Sequence, residues 1–120
     1  MRYLNGCIID WVALFHEAYK SLKPGGWLQS YEASPTVLSD DGTLHEHTAV
    51  SRWGSLFVDG GKKIGRTFLV VNDGLQVTAM KEAGFVDIEE RWIKVGHYPR
   101  LDPIPTPDSV FFSLVRGLTF

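Results

Sequence analysis

The chain has 120 residues, 44% hydrophobic and 22% charged, with a formal net charge of −2. That is enough apolar material for one domain with a core, the charge gives no electrostatic footprint for nucleic acid, and no apolar run reaches membrane-spanning length. Cys7 is the only cysteine, so no internal disulfide can form, and with no basic start leading into a long apolar segment a cytoplasmic protein is expected.

The first predicted element is a helix over Asp10 to Leu22. Trp11, Leu14, Phe15, Ala18, Tyr19 and Leu22 recur at helical spacing and make one apolar face. Asp10 is the expected N-cap, since its carboxylate can accept an amide that the first turn leaves orphaned. Pro24 cannot continue the helix, and Gly25-Gly26 allows positive φ, so a sharp turn follows. Trp27 to Ala33 then reads as a buried strand. Helix, tight turn and strand are half of a βαβ unit, which points to an α/β fold.

A polar turn at Ser39 to Gly42 precedes a second helix, expected over Leu44 to Val58. Trp53, Leu56 and Phe57 should face inward, and Gly60-Gly61 should end the helix. Phe68 to Val71 is a short apolar run of undecided type. Asn72 or Asp73 could cap a third helix over Gly74 to Ala83, with Gly84 closing it. A second strand is expected from Val86 to Val95. A domain over 1–100 and a tail over 101–120 follow from this pattern. The tail holds Pro103, Pro105 and Pro107, and Asp108 would cap a last helix containing Val110, Phe111, Leu114, Val115 and Leu118.

The stretch Leu22 to Glu32, LKPGGWLQSYE, resembles the helix-to-strand junction of class I S-adenosylmethionine-dependent methyltransferases. Arg2-Tyr3-Leu4 with Gly6, Asp10-Trp11, Asp40-Asp41-Gly42-Thr43 and Glu82-Ala83-Gly84-Phe85 extend the likeness from Arg2 to about Pro99. Together they resemble the fungal LaeA type, associated with secondary metabolism. The resemblance implies a partial Rossmann-like sheet matching the C-terminal part of that domain. The family's strand followed by a G-x-G-x-G loop, and the acidic residue that holds the ribose, have no counterpart here; Gly25-Gly26 and Gly60-Gly61 follow predicted helices instead. The family's last strand is also expected to be missing. Two strands that are not neighbours make a poor sheet with exposed edges, so completion by a homodimer is expected.

Candidate chemistry is sparse. Glu32, near the carboxyl end of a predicted central strand, is a candidate base or hydrogen-bond acceptor, because ligands of open α/β sheets sit beyond those ends. His97 and Tyr98 follow the second strand in the same way, and histidine titrates near neutrality. Tyr31, Trp53 and Trp92 are candidate substrate-binding walls, although core packing is the commoner role for a tryptophan. His45 and His47 diverge on a helix, which is poor metal-ligand spacing, and no metal is expected. Cys7 reads as a buried structural thiol.

The leading expectation is a methyltransferase-derived protein that acts without methyl transfer, as a cyclase, isomerase or dehydratase on a small-molecule intermediate. It would need no cofactor. A methyltransferase fragment, using S-adenosylmethionine only when the missing half is supplied in trans, is the first alternative. A non-enzymatic interaction subunit is the second.

Overall fold

The computed structural model describes residues 1–39, 42, 44–96 and 108–119. Six elements follow in chain order: α1 (Trp11–Ser21), β1 (Trp27–Ser39), α2 (Ala49–Ile64), α3 (Leu75–Ala83), β2 (Val86–Gly96) and β3 (Asp108–Leu118). The strands form one sheet in the order β1-β3-β2, with β3 antiparallel to both neighbours.

β3 corrects two expectations. The segment after Asp108 is a strand rather than a helix, and it fills the gap between β1 and β2. Val110, Phe111, Leu114, Val115 and Leu118 mimic helical spacing. Over so short an apolar run, however, periodicity cannot tell a strand from a helix. The register sets Trp27 opposite Leu118 and Glu32 opposite Ser113 on one side, and Trp92 opposite Ser113 on the other. Thr119, just past β3, locks this end to the Pro-Gly-Gly turn. Its amide donates to the Gly26 carbonyl at 2.9 Å, its carbonyl accepts the Gly25 amide at 3.1 Å, and its hydroxyl donates to the Lys23 carbonyl at 2.8 Å.

α1 begins where expected: the Asp10 carboxylate accepts the Ala13 amide at 2.9 Å. Trp11 and Phe15 are its buried residues. They join Val70, Ala79, Met80, Ala83, Phe85 and Val115 in a core between the α1–α3 layer and one face of the sheet. The Phe68 to Val71 stretch is a turn rather than a regular element, and it plugs Val70 and Val71 into the interior. α3 lacks the expected Asn72 or Asp73 cap. Its N-cap is Gly74, at φ +61, with no side-chain cap bond, whereas Gly84 does close it at φ +99.

α2 starts later than expected, at Ala49, and runs through Gly60-Gly61 to a left-handed stop at Gly65. Gly61 is there for contact. A Cβ on it would lie 2.5 Å from the Arg66 carbonyl oxygen and 2.8 Å from the Phe68 ring, and Gly54 meets the Pro35 carbonyl in the same way. The helix therefore turns a glycine face inward. Trp53 and Leu56, expected inside, are 59% and 64% exposed.

The other face of the sheet carries Trp27, Gln29 and Tyr31 from β1, Arg116 from β3, and Glu89 and Arg91 from β2, as the register requires. Neither α1 nor α3 covers it, and Trp27 is half exposed. Arg116 donates to the Glu89 carboxylate at 2.9 Å and sits 4.7 Å from the Trp27 ring centre.

Candidate functional site

Residues 1–3 lie along the free edge of β1. Arg2 pairs with Tyr31 in a parallel bridge; the Tyr31 amide donates to the Met1 carbonyl and the Tyr3 amide to the Tyr31 carbonyl, each at 3.1 Å. This single parallel bridge, α1 and β1 have the connectivity of a βαβ unit, and the chain leaves the bridge at Leu4 and Asn5 beside Glu32, midway along β1.

Glu32 closes that junction. Tyr3 takes a positive φ of 58°, which turns two successive amides toward one carboxylate, in the manner of an anion nest. The Leu4 amide donates to both Glu32 oxygens, at 3.0 and 2.9 Å, and the Asn5 amide donates to Oε2 at 2.9 Å. The Asn5 side-chain amide donates to the Ala33 carbonyl at 2.7 Å and the Phe68 carbonyl at 3.0 Å, tying β1 to the plug before α3. Glu32 is fully buried. Burial pushes its carboxyl above the ordinary range, while the Leu4 and Asn5 amides and the N-terminal ammonium pull it back. What the arrangement does is hold the entry of the chain onto the sheet.

The other candidates are dispersed. Tyr31 is on the opposite face of β1 from Glu32, edge-on to Tyr3 with ring centres 5.9 Å apart. The two tyrosines line a shallow depression with Met1, Arg2 and Gln29. Desolvation, then Tyr3, raises the Tyr31 phenol. Trp92 occupies the same cross-strand row as Glu32, two strands away, and is 53% exposed. Trp53 sits on the outward side of α2, edge-on to Phe57 at 5.1 Å. His97, Tyr98, Asp40, Asp41 and Thr43 lie outside the described residues.

Cys7 is exposed rather than buried. It lies in the turn after Leu4, whose carbonyl takes its amide at 2.9 Å, while its own carbonyl accepts from Arg66. Among the described residues no group of three metal-ligating side chains forms, and no helix is long and apolar enough to cross a membrane.

The described glycines do not build a nucleotide cradle. Gly6, between the parallel bridge and α1, is closed off by the Phe68 ring, Gly25 follows α1, Gly60 and Gly61 are inside α2, and Gly74 caps α3 after a turn rather than a strand. The residues described here therefore do not by themselves fit S-adenosylmethionine.

Sequence comparison supplies the class. The chain is 47% identical over 79 residues to a probable methyltransferase, tdiE, of Emericella nidulans, covering 66% of this chain and 24% of that protein. It is 36% identical over 104 residues to the methyltransferase pytC of Aspergillus terreus, covering 85% and 31%. The secondary metabolism regulator LAE1 of Gibberella fujikuroi is 33% identical over 98 residues, covering 78% and 30%. No family model and no solved structure matches. These relatives are fungal methyltransferases and regulators of secondary metabolism. The chain belongs to that LaeA-like methyltransferase family, and it spans between a quarter and a third of the length of the relatives it matches.

Proposed function

We propose that the chain is the C-terminal sheet half of a Rossmann-like, S-adenosylmethionine-dependent methyltransferase acting on a small molecule of fungal secondary metabolism. Methyl transfer then requires the rest of that domain. The observation that carries this is the parallel pairing of residues 1–3 on β1 beside a sheet face that neither α1 nor α3 covers. The three named strands are antiparallel, an arrangement that tolerates one solvated face, whereas a parallel edge is the mark of βαβ sheets covered on both faces.

This reading stands ahead of a cyclase, isomerase or dehydratase acting without the cofactor. That chemistry needs polar groups converging on an open pocket. Glu32 is enclosed and engaged by two amides, while Tyr31, Trp53 and Trp92 lie on separate surfaces.

The test is calorimetric titration with S-adenosylmethionine of the chain alone, and of the chain joined to the remaining sequence of its Emericella nidulans relative. No binding by the chain alone and one-to-one binding by the joined protein are expected. One-to-one binding by the chain alone, or none by a joined protein with cooperative unfolding, overturns the proposal.

A further inference from the structure

The amphipathic helix α2 turns its apolar stripe away from the rest of the described residues. Its inward side is built from Gly54 and Gly61. Its outward side carries Arg52, Trp53, Leu56, Asp59, Gly60 and Lys63 along one groove. Trp53 and Leu56 are more than half exposed. A Cβ on Gly60 would meet nothing within 4 Å, so this residue is an open notch in the stripe. Arg52 and Asp59 form no ion pair among the described residues.

The stripe is self-complementary. Two copies of α2 laid antiparallel about a twofold axis at Leu56 would set residues 52 and 53 against residues 59 and 60 of the second copy. Trp53 would then enter the notch at Gly60, and the Arg52 guanidinium would meet the Asp59 carboxylate. Each contact occurs twice, as an isologous interface requires. A bulky aromatic opposite a glycine and a cation opposite an anion are complements of shape and of charge. We infer that α2 is a self-association helix, and that its occupant is α2 of a second copy of this chain.

The homodimer expected from sequence would have completed the sheet. β3 already bridges β1 and β2, so the association proposed here leaves the sheet untouched and does not depend on the methyltransferase reading. A single helix pair falls at the low end of stable interfaces, at or below about 1,200 Å² in total, so the dimer is expected to form and dissociate over the micromolar range.

The test is light scattering of the full chain across that range. Wild type is expected to be a dimer at high concentration. Arg52→Asp sets two carboxylates together at each end and should weaken association about tenfold or more, and adding Asp59→Arg should restore it. A second readout does not depend on dissociation constants. In a Cys7→Ser background, Leu56→Cys should give a disulfide-linked dimer on oxidation. Ile64→Cys should not, because eight residues from the axis the two copies are about 24 Å apart. A monomer at every concentration means that the stripe serves another partner or the rest of a longer chain. That result, or a dimer indifferent to the charge exchange, or equal crosslinking at both positions, overturns the inference.

Discussion

Glu32 is a carboxylate used as a fastener. Both oxygens are spent on the amides of Leu4 and Asn5, so Glu32→Ala leaves enclosed donors without acceptors and should cost roughly 2–4 kcal/mol, read by urea unfolding. The ionised form is also penalised, because burial raises the folded-state value. The folded chain keeps that proton to higher pH than the unfolded chain, so this group's contribution is most favourable below the unfolded value and declines as pH rises through the folded one. Measured against Glu32→Gln, wild-type stability should therefore fall across the window just above the ordinary carboxylate range and then level off. A difference that instead rises with pH would mean that the amides outweigh desolvation. The sequence put Glu32 in a strand but near its end, whereas β1 runs on to Ser39 and leaves it near the middle. Its partners were not legible, because they lie 28 and 27 positions away and are backbone groups, which carry no residue signature.

At the scale of elements, α1 was legible to within a residue at each end, since Asp10, the apolar face and the Pro-Gly turn all act locally. α2 was misread because Gly60-Gly61 has the composition of a stop. Gly61 is instead a packing residue and Gly60 a surface one, and they should respond to mutation with opposite signs. Gly61→Ala forces a Cβ against the Arg66 carbonyl and the Phe68 ring and should cost about 1–3 kcal/mol. Gly60→Ala meets open space and should add up to about 1 kcal/mol through helix propensity. Thermal unfolding in dilute solution checks both, and a stabilising Gly61→Ala would refute the packing described for α2. β3 was misread for a different reason: its register is fixed by two neighbours distant in sequence, and no local pattern encodes them.

For the molecule as a whole, the surface is large. The chain exposes 7956 Å², where a compact monomer of its mass would expose about 6,500 Å². The difference is nearly twice what one partner of a standard protein–protein interface buries, about 800 Å². It matches a sheet with one covered face and a helix with an outward apolar stripe. The sheet itself hangs on β3, since β1 and β2 do not pair with each other. Deleting residues 108–120 should therefore abolish cooperative unfolding by far-UV circular dichroism rather than lower its midpoint. Persistence of a sharp transition would mean that the α1–α3 layer folds without the sheet.

The order β1-β3-β2 also sets a schedule. The middle strand is the last of the three to leave the ribosome, and it pairs Trp27 with Leu118 across most of the sequence. During synthesis β1, held only by residues 1–3 on one edge, and β2 therefore wait with the edges meant for β3 open to any extended peptide nearby. Assembly cannot begin from the amino end and proceed along the chain. It must come as one late event with a long loop to close, which favours slow folding and a need for chaperone shelter while the nascent edges are bare.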